Sequence, residues 1–179
     1  PNRDWERAGQ LPAGATVLDI AAQLVKRQKT GDGIEVVLGG GRQMFLPTNV
    51  ADPEYSTQTG RRTDGRNLAT EWTAAQSKSA YVWDKKGFDA INTNKVKKLL
   101  GLFEPSHMQY EADRRNDGAG EPSLTEMTRK SIQMLSKNRK GYYLMVEAGR
   151  IDHAHHASNA YRALTDTIAL SDAVRAAMQ

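Results

Sequence analysis

The chain has 179 residues, 39% of them hydrophobic and 26% charged, with a net charge of +4 and no cysteine. That length and balance suit a globular chain with a real core and exclude a disordered tail. The missing cysteines exclude disulfides and thiolate-bound metal, and no apolar run approaches the roughly 20 residues that a bilayer-spanning helix needs.

The chain opens on Pro1-Asn2-Arg3-Asp4-Trp5 without a start Met and stops at Gln179 within an apparent amphipathic helix. It therefore reads as an excised piece of a longer protein. From Thr16 to Gln28, Val17, Ile20, Ala21, Leu24 and Val25 share one face, which predicts a helix broken by Thr30-Gly31-Asp32-Gly33. Ile34 to Leu38 reads as a short strand running into Gly39-Gly40-Gly41-Arg42. This glycine run lacks the Lys-Ser/Thr ending of a phosphate loop and the spaced third glycine of a dinucleotide fingerprint. It reads as a turn allowing close backbone approach, with Arg42 structural.

Residues 48–67 are polar and turn-rich and predict a long excursion. A helix follows over Leu68 to Ala75, then strands over 80–83 and 96–103, then a second polar loop from His107 to Glu121. Ser123 and Glu126 have capping-box spacing, so a helix should start there and run to Ser136. Tyr142 to Val146 predicts another strand, and Ala157 to Met178 a final helix with Ala160, Leu164, Ile168, Ser171, Val174 and Met178 along one stripe. Helices alternating with short strands predict an α/β fold with a parallel sheet. The basic clusters Arg61-Arg62, Lys95 to Lys98 and Arg114-Arg115 lack interleaved aromatics, so they read as solvated surface and not as a nucleic-acid site.

Three of the four histidines fall within 153–156, beside Glu147 and Asp152 and directly after the apolar run. A strand delivering acid and imidazole groups from its C-terminal end is how α/β proteins build metal or phosphate sites. Asp152 and His156 are four apart, a spacing that aims both at one point on a helical turn, and that a loop can also achieve. Oxygen with imidazole suits Zn²⁺, and carboxylate alone suits Mg²⁺. Ser158 follows the histidines at a helix start, where a cap or solvent-facing residue is the better reading than a nucleophile.

The run Glu147-Ala148-Gly149-Arg150-Ile151-Asp152-His153-Ala154-His155-His156 resembles the metal-site segment of the alkaline phosphatases of the animal and bacterial type. Val37 to Arg42 resembles the family's strand-plus-triglycine segment. Leu100 to Pro105 and Met108 to Glu111 resemble its next landmark, and Pro122 to Met127 the helix start before the metal segment. The likeness runs in order through nearly the whole chain. It implies that residues 1–179 are the central fragment of one catalytic domain, part of a three-layer α/β/α sandwich with a mostly parallel sheet.

The resemblance further implies two zinc ions and one magnesium per site. By position, Glu147 matches a magnesium ligand, Asp152 and His156 match two ligands of one zinc, and His153 matches a residue that reaches phosphate through water. His155 matches no role. Ala148 and Ala154 replace glycines common in the family without changing the ligand spacing. A calcium ion is an open expectation: Phe103 and Glu104 match its ligands and Glu121 stands for a later acid, but Gln10 occupies the place of an early glutamate.

The implied reaction is phosphomonoester hydrolysis through a phosphoserine. The nucleophilic serine and the phosphate-binding arginine fall outside this chain, so no catalytic nucleophile is assigned within it and the chain alone should be inactive. The resemblance also implies small phosphomonoester substrates, a homodimer, and a periplasmic, cell-surface or secreted location. Two other readings stand beside it. One is a related metal-dependent sulfatase or phosphodiesterase, and the other a non-catalytic metal-binding module.

Overall fold

A computed structural model describes residues 17–31 and 33–179. Gln10 and the start of the first predicted helix, Thr16, lie outside the described residues. The chain divides into two units, one formed by residues up to 83 with 96–107, the other by 84–95 with 108–179.

The first unit is built on three parallel strands, β1 (Val36–Gly39), β2 (Ser79–Val82) and β3 (Lys98–Leu102), in the order β1-β3-β2. Val36 pairs with Leu99 and Ser79 with Lys98. Every residue of central β3 is buried, so after Lys98 the run Leu99-Leu100-Gly101-Leu102 carries no polar side chain where a half-exposed strand would alternate. Helices α1 (Ile20–Thr30) and α2 (Leu68–Ala75) supply Ala21, Ala22, Val25, Leu68 and Trp72, which pack with Phe45, Leu100 and Leu102 into the core. The predicted helices and strands of this unit therefore form, with ends shifted by a few residues.

The excursion over 48–67 contains no helix or strand, only isolated bridges between Pro47 and Arg62 and between Ala51 and Thr59. Two arginines at 0–1% exposure hold it. Arg42 opens a 3-10 turn (Arg42–Met44). Its Nε and Nη2 donate to the two Asp52 carboxylate oxygens at 2.8 Å each, Nη2 reaches Glu54 at 3.0 Å, and Nη1 donates to the Leu102 and Trp83 carbonyls. Arg42 is thus structural, as its sequence setting suggests. Arg62 and Lys98 correct the reading of the basic clusters as solvated surface. Arg62 grips Asp19, and Lys98, 8% exposed, pairs with Glu35 at 3.1 Å. Gly41 has φ of +85°, and a Cβ there would meet nothing within 4 Å. Its glycine answers to backbone conformation and not to the close approach expected. The close approach is at Gly60, where a Cβ would lie 2.1 Å from the Leu46 carbonyl oxygen.

The second unit contains α3 (Lys85–Ala90), α4 (Leu124–Leu135), α5 (Arg150–His156) and α6 (Ala160–Ala177). α4 opens with the predicted capping box: the Ser123 hydroxyl accepts from Glu126 N at 3.2 Å, and Glu126 accepts from Ser123 N at 2.8 Å. Replacing Ser123 with Ala should lower stability by about 1 kcal/mol. Urea unfolding of S123A matching wild type would show that the box contributes nothing.

One expected element does not form. Tyr142 to Val146 forms no strand with any described residue, and Tyr143 and Met145 are 87% and 66% exposed. A strand exists only where a neighbour takes up its N–H and C=O groups. The stripe on α6 lies on its exposed side. Leu164, Ile168, Val174 and Met178 are 53–84% exposed, and the buried face is Ala163, Asp166, Ala173 and Ala176. Short side chains allow α6 to approach α4 and α5 closely.

Candidate metal centre

Glu147 lies in an exposed stretch without regular structure, three residues before α5. A Cβ on Gly149 would lie 3.7 Å from the Glu147 Oε1, so the carboxylate leans back toward the helix start. α5 itself carries no apolar stripe, and Ala154 is its one fully buried residue. Ala154 packs with Tyr110 and Ala163.

That anchor fixes which way the helix faces. Asp152 and His156 are one turn apart on its outer side, with the Asp152 Oδ2 3.5 Å from the His156 Nε2 and both side chains nearly three-quarters exposed. The helix thus decides between the two ways of bringing them together that the sequence allowed. Among the described residues, Glu147 does not join them in a set of three donors within 4.8 Å. His153 is half-buried, and its Nδ1 lies 3.0 Å from the Arg150 Nη1. His155 is exposed. Ser158 is exposed with φ of +50°, and the cap of α6 is the next residue, Asn159, which accepts from Arg162 N at 3.0 Å.

The turn that joins α5 to α6 is closed by backbone bonds: Ala157 N donates to His153 O at 3.0 Å and Asn159 N to Ala154 O at 2.9 Å. Behind it, Asp166 is buried on α6. Burial pushes its carboxyl above the usual range, and a hydrogen bond from Glu111 N and the charge of Arg150 offset only part of that.

Of the residues matched to a calcium site, Phe103 and Glu104 belong to the first unit and Glu121 to the second. In the first, Phe103 is fully buried and Glu104 is 4% exposed, with its Oε1 accepting from the Tyr55 hydroxyl at 3.1 Å. Glu54, not singled out from sequence, places a carboxylate oxygen within 4.8 Å of one on Glu104 and is ion-paired to Arg42. Its signal was the acid pair Asp52 and Glu54 within ten or so residues of a buried arginine, which only the fold reveals as buried. In the second unit, Glu121 is 2% exposed and accepts from Gln109 N with both oxygens, at 3.0 and 3.2 Å.

The alkaline phosphatase sequence model matches residues 1–179. The chain belongs to the alkaline phosphatase family. It is 44% identical over 182 residues to the tissue-nonspecific alkaline phosphatase of Gallus gallus, covering 97% of this chain and 34% of that protein. It is 40% identical to a membrane-bound alkaline phosphatase of Bombyx mori, covering 98% of this chain and 32% of that one. Among solved structures, alkaline phosphatase from Thermus thermophilus superposes with a TM-score of 0.71 at 35% identity, over 87% of this chain and 28% of that one. The α/β fold with a parallel sheet is therefore that of the family. The chain spans about a third of the length of the curated relatives it matches. No described helix is long and apolar enough to cross a membrane.

Proposed function

We propose that residues 1–179 are a segment of a single catalytic domain that hydrolyses phosphomonoesters through a phosphoserine, and that they supply part of its metal site. The observation that supports this best is the Asp152–His156 pair, a carboxylate and an imidazole 3.5 Å apart on the exposed side of α5 in a chain of this family. Mixed oxygen and nitrogen donors suit zinc, and both side chains are open to an arriving ion. Two donors are fewer than the three or four that hold zinc tightly, so residues outside the chain complete the set. Glu147, a lone hard oxygen donor three residues before the helix, is assigned to magnesium.

Bound zinc would supply Lewis-acid chemistry, polarising oxygen and offsetting charge on the transferring phosphoryl group. The chain's own residues orient that chemistry. α5 sets the angle between the Asp152 carboxylate and the His156 ring, and Ala154 locks the helix's rotation. His153 faces substrate through water. The nucleophilic serine and the phosphate-binding arginine belong to parts of the protein outside this chain. Phe103, Glu104 and Glu121 remain assigned to calcium as the weaker of the metal readings. Export from the cytoplasm and a homodimer complete the proposal.

The test uses the full-length protein. D152N and H156A should each lose zinc, measured by atomic emission. Each should lower kcat/KM for p-nitrophenyl phosphate by more than about 100-fold, because residues that merely support a metal ligand already cost 10–100-fold. E147Q should retain zinc and lose magnesium. Wild-type metal content and rate in D152N and H156A would remove the zinc assignment. A preference for sulfate esters or phosphodiesters would move the reading to a sister hydrolase.

A further inference from the structure

We propose that Tyr110 is a positioning residue for the Asp152–His156 pair, an inference that rests on the reading of that pair as zinc donors. α5 has seven residues, and no side chain caps its start at Gly149. A helix that short does not hold itself and takes its direction from what it packs on. Arg150 and Ala154, four apart and so on one side of α5, both meet Tyr110. The Arg150 guanidinium lies 3.7 Å from the centre of the Tyr110 ring, and the buried Ala154 packs with Tyr110. One contact would leave the helix free to pivot, and two contacts a turn apart fix its axis. Asp152 and His156 each follow these residues by two positions, about 200° round the helix, so the same contacts aim the donors. Arg150 also brings a cation to the positive end of the helix dipole, an unfavourable place that the electron-rich ring face offsets.

Tyr110 can set that direction because it is itself held. Its carbonyl accepts from Asp113 N and Arg114 N, at 2.9 Å each. The next N–H along the chain, that of Glu111, donates to the buried Asp166 on α6 at 3.3 Å. α6 grips the ring as α5 does, with an arginine and an alanine. Arg162 lies 4.6 Å from the ring centre and is tied to Asp113 at 2.8 Å, and Ala163 packs with Tyr110. The ring therefore joins the two helices, and through it the short helix that carries the donors is referred to the long one. Such donors must keep their places to within about 0.5 Å to work, so the support beneath them matters.

The test uses the full-length protein and zinc alone, with affinity measured on the metal-free protein in a chelator buffer. Y110L should weaken zinc binding by about 10–100-fold, the usual effect of removing the support behind a metal ligand. Y110F, which keeps the ring, should bind zinc as the wild type does. In the metal-free protein, amide exchange at Ala154 and Ala157 should be faster in Y110L and unchanged in Y110F. If Y110L unfolds at lower urea but binds zinc as tightly as the wild type, Tyr110 is a packing residue only and the proposal is overturned. If Y110F loses as much affinity as Y110L, the ring is not the cause and the proposal is overturned too. D152N separates the two readings. If it keeps wild-type zinc affinity, the zinc assignment fails and takes the proposal with it. If it loses zinc while Y110L does not, only the role of Tyr110 falls. Y110M replaces Y110L if the leucine variant does not fold.

Discussion

Arg42→Met should destabilise the full-length protein by about 3–5 kcal/mol, the cost of removing one partner from a buried ion pair. Arg42 has no exposed surface and donates five hydrogen bonds, three to carboxylates and two to the carbonyls that end β2 and β3. Methionine fills much of the space but leaves Asp52, 4% exposed, without a counter-charge. Arg42→Lys keeps the charge and loses the fork, so it should fall between the two.

The acid dependence separates this from simple loss of packing. Burial alone would push the Asp52 carboxyl up. The Arg42 guanidinium and the N–H groups of Tyr55 and Glu54 outweigh it and hold the carboxyl below its usual range. A depressed carboxyl contributes stability above its unfolded value, about 3.9, and loses it as pH falls through the folded value. In R42M the opposite holds, since protonation relieves an unpaired buried charge. The gap between wild type and R42M in urea unfolding should therefore narrow below about pH 4. A gap that stays constant to pH 3, or one under 1 kcal/mol at pH 7, would show that the pair is not what holds the excursion.

Arg62→Met is expected to cost a similar 3–5 kcal/mol, with a different local signature. Arg62 donates to both oxygens of Asp19 at 3.1 and 2.9 Å, to the Met44 carbonyl, and to Asp64. Asp19 is also the N-cap of α1, accepting from Ala22 N at 2.8 Å. The variant therefore removes a charge partner and loosens a cap with one change. Amide hydrogen exchange should accelerate first in α1, at Ala22 and Val25, before β3 is affected. Unchanged protection across α1 with a normal unfolding midpoint would mean that the Asp19 contact contributes little.

The sequence announced elements wherever the signal was local. α2 forms over the predicted span, and the Ser123–Glu126 spacing yields the capping box it promises. What it hid was everything decided by a neighbour. α5 was read only as a spacing, because a helix with Ala154 as its one fully buried residue has no apolar period to detect. The α6 stripe was legible as a period, but its facing was not, because Ala163, Ala173 and Ala176 meet the neighbouring elements while Leu164 and Ile168 are exposed. Tyr142 to Val146 had strand composition, and pairing is not a property of composition. Arg62 looked like half of a surface pair, because nothing within ten residues reveals that Asp19 will meet it. The spacing of Asp152 and His156 was legible, and the helix brings that pair together, while Glu147 stands apart from it.

The strand order has a kinetic corollary. β3 joins β2 across a connection of about 15 residues and joins β1 across about 58. Loop closure grows with the logarithm of length, so bringing β1 to β3 costs about 1 kcal/mol more chain entropy than bringing β2 there. The steepest part of assembling this sheet thus falls on β1, the strand that delivers Gly41 and Arg42 to the segment beyond β3.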